Sequence, residues 1–327
     1  MSEELVKESI EISSLEENNI DEDSLFKRVE LNETESEHIA AEPYSYWKAV
    51  FRTFIKRPAA IIALSCLAVL VLGMIIIPFC APEGAYDLSA ANANIAPCAE
   101  HWFGTDFAGR DLFFSCWKGL SLSMGLALLE SAIIIVVGTI VGIAWGYFRW
   151  LDPILIEVYN LISNIPSLLL YILISVIMYT ALPDAPSTLK MIVCLSVTSW
   201  IGVALFIRNQ TLIITNREYN VASITLGTPS RRIMTKNLLP YLLAVIITEA
   251  SLIIPGMISS EVSMSFFGVG LSKDTIAIGV LLDNGRRYFT SYTWQLLAPA
   301  GMLAAVIFIF YLLGLALSDA LDPRKHH

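Results

Sequence analysis

Charge is scarce in this chain. Of its 327 residues only 16% are Asp, Glu, Lys or Arg, while 55% are hydrophobic, a balance that excludes an ordinary soluble domain. Histidine is scarcer still. His38, His101, His326 and His327 are scattered, and no spacing of His, Cys and carboxylates matches a metal site. Five cysteines supply no disulfide framework. Cys66 and Cys194 fall in apolar runs as packing residues, whereas Cys98 and Cys116 lie near one face, where a bridge is one open arrangement. No G-x-x-x-x-G-K-[ST] occurs, Gly268-Val-Gly-Leu-Ser-Lys273 falling short of it, so the chain has no phosphate-binding loop of its own. A Ser/His/Asp set, an H-E-x-x-H motif and a catalytic carboxylate pair are equally missing. So is the interleaving of bases with aromatics that a nucleic-acid surface needs. Enzyme and nucleic-acid readings both lose their footing.

The first 42 residues contain no Gly, Pro, Trp or Tyr. They hold 14 acids against 3 bases, a net of −11, which leaves +2 of the overall −9 for the remainder. Such a segment cannot bury enough apolar surface to offset its ordering entropy, so 1–43 is expected to be a disordered acidic tail. It lacks the basic and apolar regions of a signal peptide and is expected to stay on the side of synthesis.

Six apolar runs dominate the rest, near 59–80, 120–147, 154–180, 189–208, 240–262 and 295–317. Each is close to the roughly 20 residues that cross a bilayer as a helix. The expected fold class is an all-α membrane protein: six transmembrane helices over 59–318, then a short tail over 319–327. Ahead of the first run, Tyr44, Trp47, Val50, Phe51, Phe54 and Ile55 share a helical face, with Lys48, Arg52, Lys56 and Arg57 mainly opposite. That pattern predicts an interfacial helix over 44–58. With the N-terminus inside, twelve Lys/Arg fall in inner segments against six outside, which predicts that both termini are cytoplasmic. Trp145, Trp150, Trp200 and Trp294 are expected as belt or packing residues.

Glu130, Glu157, Glu249 and Glu261 lie in or at the ends of spans, where a carboxylate must face protein, water or an interface. Glu157 is expected at the inner interface. For Glu249 a transport pathway and a contact with a partner subunit are equal alternatives.

The polar loop over 213–240 is unusually patterned. Glu218 to Leu226 predicts a short helix with Tyr219, Ala222 and Leu226 on one face. Gly227 supplies a break, Thr228 an N-cap and Pro229 the first residue of a second helix bearing Arg231, Arg232 and Lys236. Pro240 marks entry into the next span. The run resembles the coupling motif of bacterial ABC importer permeases, E-A-A, three residues, G, nine residues, I-x-L-P. Val221-Ala222-Ser223 occupies the triplet, Gly227 is in register, and Asn237-Leu238-Leu239-Pro240 closes it, with Val221 and Asn237 replacing the motif's Glu and Ile.

Three further blocks are similar to the same family. His101-Trp-Phe-Gly-Thr-Asp-Phe-Ala-Gly-Arg-Asp-Leu112 resembles the F-G-T-D-x-x-G-R-D signature of C-type subunits in dipeptide, oligopeptide and nickel importers. Gly104, Thr105, Asp106, Gly109, Arg110 and Asp111 are expected there as a tight turn, with an Arg110–Asp ion pair and a structural or docking role. Glu261-Val-Ser-Met-Ser-Phe-Phe-Gly268, with Ser265 and Phe266, resembles the E-A-A-L-S-F-L-G segment closing span five, and Asp319-Ala-Leu-Asp-Pro-Arg324 resembles a D-A-L-D-P-R ending. The family's P-P-x-P-S-W-G stretch is replaced by Lys273-Asp-Thr-Ile-Ala-Ile-Gly279.

The resemblance covers about residues 44–324 and implies a type I importer permease in the bacterial inner membrane. It further implies a homologous B-type permease, two ABC ATPase subunits that bind ATP and Mg, and an extracytoplasmic peptide-binding protein, with membrane lipid around the spans. No cofactor is expected on this chain. Short peptides are the expected cargo, with nickel or another small solute as the alternative and a non-transport scaffold as a distant one.

Overall fold

The computed structural model describes residues 46–321; the tail expected over 1–43, Tyr44 of the interfacial face, and 322–327 with the end of the D-A-L-D-P-R block lie outside the described residues. Within them the regular elements are helices, joined by loops that include one isolated antiparallel bridge between Thr105 and Asp111.

Helix α1 (Tyr46–Lys56) buries Val50 and leaves Phe51 and Ile55 exposed. After an extended Arg57, Pro58 opens α2 (Pro58–Phe79), a position where its missing N–H costs nothing. Only Ala60, Ala63 and Met74 of α2 are buried, so most of this apolar helix faces outward, as a lipid-clad span requires. The Arg57 guanidinium pairs with the Asp319 carboxylate near the end of the last helix, fastening the first and last spans together.

Helix α3 (Leu112–Tyr147) has 36 residues and starts eight positions before the expected span. Asp111 explains the difference, because its Oδ1 accepts from the amides of Phe113 and Phe114 at 2.9 and 3.2 Å and caps the helix there. Alongside runs α6 (Ser187–Thr215). Gly138, Gly142 and Gly146 on α3 face Val203, Ile207 and Thr211 on α6, all at a spacing of four. A Cβ on Gly142 would stand 2.6 Å from the Ala204 carbonyl oxygen. The matched order makes the helices parallel, and the glycines let their backbones approach as bilayer-embedded helices prefer.

The third expected span is not one rod. A 3₁₀ turn (Arg149–Leu151) leads into α4 (Asp152–Ser163), which meets α5 (Ser167–Ala181) at 91°. Pro166 causes the break: it donates no amide hydrogen, and its ring drives Ile165 away from helical geometry. Among the described residues five helices are therefore long and apolar enough to cross singly, and six crossings require this bent pair to count as one. Asp152 holds α4 in place by accepting from Trp145 Nε1 at 2.8 Å and from the Arg208 guanidinium at 2.7–3.0 Å.

The chain then forms α7 (Glu218–Thr225), a single turn α8 (Ser230–Arg232), a π-helical segment (Ile233–Leu238) and α9 (Leu239–Phe266). After a loop come α10 (Ile278–Arg287), which the sequence did not suggest, and α11 (Trp294–Leu321). Asp283 of α10 is buried and pairs with Arg286 and Arg287 at 3.0 and 2.7 Å. Two apolar clusters hold the bundle at its opposite ends. One gathers Leu120, Met124, Ile258, Ile278, Val306 and Phe310; the other gathers Ile143, Ile207, Ile214, Ile233, Leu238 and Leu242.

Candidate functional site

The polar loop between α6 and α9 sits on the second cluster. Its helix α7 ends because Leu226 leaves helical geometry and Gly227 takes φ +79°. The Gly227 amide donates to Ile224 O at 2.9 Å and the Thr228 amide to Ser223 O at 3.1 Å, a Schellman closure that satisfies the last carbonyls of the helix. Glu218 lies in the first turn, where a negative charge suits the helix dipole. Tyr219, Ala222 and Leu226 are exposed, and Leu226 is 86% exposed. These three form an uncovered ridge on one face, and Val221 and Ile224 are exposed on another side of the helix. Ser223 is half-buried and bonds back to Tyr219 O at 2.8 Å. Burial, and then the neighbouring Tyr241 ring at 5.9 Å, raise the Tyr219 hydroxyl above its ordinary pKa.

The second half of the loop differs from the expectation. Thr228 does not cap a helix; Pro229 occupies the N-cap position with ψ 142°, and no side chain accepts there. Nor is there a separate second helix, since Ser230–Phe266 runs on as 37 residues through the π-helical segment. Ile233 and Leu238 are fully buried against α3 and α6, and burying them anchors this segment more firmly than a free amphipathic turn would allow. Arg231, Arg232 and Lys236 are exposed beside the α7 ridge, and Pro240 sits in the first turn of α9. Helix α7 is thus joined, across one glycine turn, to the base of a membrane-length helix.

At the opposite end the 101–112 block forms a closed hydrogen-bonded turn. Asp106 Oδ1 accepts from the amides of Ala108 and Arg110 at 2.8 and 2.9 Å, and Arg110 Nε lies 3.4 Å from Asp106 Oδ2 as an ion pair without hydrogen-bond geometry. Gly104 and Gly109 carry the turn at φ +74° and +85°. Thr105 Oγ1 accepts from the Ile95 amide at 2.8 Å, and its carbonyl receives Gln295 Nε2 from α11 at 3.2 Å. Asp111 also accepts His101 Nδ1 at 2.8 Å through Oδ2. Tyr86, outside the spans, has its hydroxyl pKa raised by burial and then by the charge of Asp111. The polar groups of this block bond to one another and to Ile95 and Gln295, which ties the turn to α11.

The span-five block packs near it, beside α10. Glu261 is fully buried and receives Ser265 Oγ at 3.0 Å; Gly268, at φ +74°, ends α9; and Phe266 carries the Arg286 guanidinium 4.6 Å above its ring. Glu249 stands apart, half-buried in a cavity of about 280 Å³ with Phe206, Thr248 and Ser318. The predicted residues thus fall into separate places, and the 213–240 loop presents several exposed apolar side chains.

Cys98 is exposed and Cys116 buried, both free, so the bridge between them is not made. Sequence reasoning also missed Asn220, which is fully buried under α7, and the Asp152–Arg208–Trp145 knot. The glycines of α3 at i, i+4 and i+8 are the sequence signal of its close approach to α6.

Comparison with known proteins agrees with this geometry. The profile of the binding-protein-dependent transport system inner membrane component matches residues 134–327, and that of the N-terminal TM domain of oligopeptide transport permease C matches 45–97. The oligopeptide transport system permease protein AmiD of Streptococcus pneumoniae is 37% identical over 305 residues, covering 92% of this chain and 97% of that protein. The dipeptide transport system permease protein DppC of Bacillus subtilis is 34% identical, with 89% of each covered, and OppC of the same organism is 30% identical, with 92% and 97% covered. A chain of the MetNI methionine ABC transporter, solved in inward-facing conformations, shares the fold with a TM-score of 0.52. It is 16% identical and is covered over 98% of its own length and 64% of this chain.

Proposed function

Since the chain belongs to the binding-protein-dependent transport system inner membrane component family, we propose that it is the C-type permease subunit of an ATP-driven peptide importer. It is a multi-pass integral inner membrane protein. Its relatives are transport permeases named for oligopeptides and dipeptides.

In this reading the chain pairs with a homologous B-type permease, and the two share one translocation path. ATP and Mg are bound by two separate ATPase subunits, because this sequence has no phosphate-binding loop. An extracytoplasmic binding protein delivers peptide on the side of the 101–112 turn. The twelve-to-six distribution of Lys and Arg supports placing the 213–240 loop and both termini in the cytoplasm.

The observation that carries the proposal is the mechanical continuity of the loop. The exposed apolar ridge of Tyr219, Ala222 and Leu226 can seat in an ATPase groove, with exposed Arg231 and Arg232 following it in the loop for acidic partners. Closure of the ATPases pushes α7, and the turn at Gly227 passes that motion to Ser230–Phe266 as one body. Rotation of α9 then switches the path between inward- and outward-facing forms. The 101–112 turn keeps the far end of α3 fixed while this happens.

Uptake in a strain lacking the gene tests the reading, comparing a labelled short peptide with radiolabelled nickel. Loss of peptide uptake alone, restored by the gene, is the expected result. Loss of nickel uptake alone would transfer the cargo to the metal, and no loss of either would overturn both cargo assignments.

A further inference from the structure

The underside of α7 carries a polar contact that docking does not use. Asn220 is fully buried, on a different face from the exposed Tyr219, Ala222 and Leu226. Its Nδ2 donates to the carbonyl of Ile214 at 2.8 Å, near the end of α6, and its Oδ1 accepts Nδ2 of Asn237 at 3.1 Å. Asn237 belongs to the π-helical segment that leads into α9. One amide therefore joins α6, α7 and the base of α9.

Two features make this contact more than local packing. A buried amide is costly unless paired, so its partners fix where α7 lies. Besides the Tyr219–Tyr241 ring contact at 5.9 Å, α7 reaches α9 through Gly227, Thr228 and Pro229, a turn whose backbone can bend. The contact also crosses that turn, linking two positions 17 residues apart. Ile214, Ile233 and Leu238 belong to one buried apolar cluster, so the end of α6 and the π-helical segment that the amides join are also packed together.

We propose that Asn220 and Asn237 form an amide clamp that positions the coupling helix, so that a push on α7 reaches α9 instead of being lost in bending at Gly227. The inference rests on the coupling role given to this loop above. Asn220 and Asn237 are positioning residues, acting through α7, and touch neither nucleotide nor cargo. The asparagine at 237, where the related motif has isoleucine, is what supplies the donor for Asn220.

The test uses the complete complex reconstituted in vesicles, with peptide transport and ATP hydrolysis measured on the same preparation. Asn237→Ala is expected to lower the peptide moved per ATP about tenfold, the effect of one lost buried hydrogen bond. ATP hydrolysis and the amount of assembled complex stay near wild type. Asn220→Ala loses at least as much, and the double variant is no worse than Asn220→Ala, because both removals break one contact. Asn237→Gln, which keeps a donor, recovers part of the ratio. An unchanged ratio in Asn237→Ala overturns the clamp. Hydrolysis, transport and complex yield falling together also overturn it, since that is the signature of a merely structural pair. A wild-type complex that moves no peptide with ATP overturns the importer reading itself, and the clamp with it.

Discussion

Replacing Gly227 in a graded series separates backbone geometry from crowding. The residue sits at φ +79°, and no atom lies within 4 Å of where its Cβ would be. Alanine therefore meets no clash and bears only the left-handed penalty, about 1 kcal/mol. Asparagine, which tolerates that region, bears less. Proline cannot reach positive φ and has no N–H for the 2.9 Å bond to Ile224 O, so it costs about 3 kcal/mol or more. If transport requires α7 in the closed turn, the competent population falls by about fivefold for alanine and about a hundredfold for proline. Peptide uptake, normalised to the amount of protein in the membrane, should follow the order Gly, Asn, Ala, Pro. Insertion should not change, because the turn lies outside the spans. Normal uptake with Gly227→Pro would refute the reasoning, as would alanine and proline being equally defective.

Three other outcomes follow from the packing. Gly142→Val should lower the thermal midpoint in detergent by about 5 °C, since the Cβ would stand 2.6 Å from the Ala204 carbonyl, whereas Gly125→Val, with nothing within 4 Å, should leave it unchanged. Asp111→Ala removes the cap of α3 and the partner of His101, and should cost about 1 kcal/mol. Faster hydrogen exchange confined to 104–114 is the expected sign, and exchange unchanged there would contradict the cap. A maleimide added to the folded protein should label exposed Cys98 and spare buried Cys116, with no shift in mobility on reduction; labelling of Cys98 only after reduction would show that the pair is bridged.

Apolar length alone located most of the membrane helices, because a bilayer demands about 20 consecutive apolar residues and leaves little freedom. Gly227 was legible for a similar reason: few residues other than glycine close a helix in the left-handed region. What escaped were features set by contact between distant segments. The start of α3 depended on whether Asp111 would cap it. The break near Pro166 was signalled by the proline, but its 91° angle depends on how α4 is held by Asp152, Arg208 and Trp145. Thr228 and Pro229 had the chemistry of a helix start. Yet burial of Ile233 and Leu238 drew the following residues into a π-helical extension of α9 instead. Asn220 gave no sign at all, since its partners lie 6 and 17 positions away.

A photo-reactive amino acid at position 226 tests the central claim most directly. Leu226 is the most exposed apolar side chain on the α7 ridge, and Val69, 67% exposed on α2, serves as the lipid-facing control. Irradiation of intact membranes should join position 226 to a nucleotide-binding ATPase subunit, with a yield that changes when ATP is trapped, and should leave position 69 joined to lipid. Cross-linking of position 226 only to lipid, or to no ATPase under any nucleotide condition, would contradict the assignment of this loop as the coupling site.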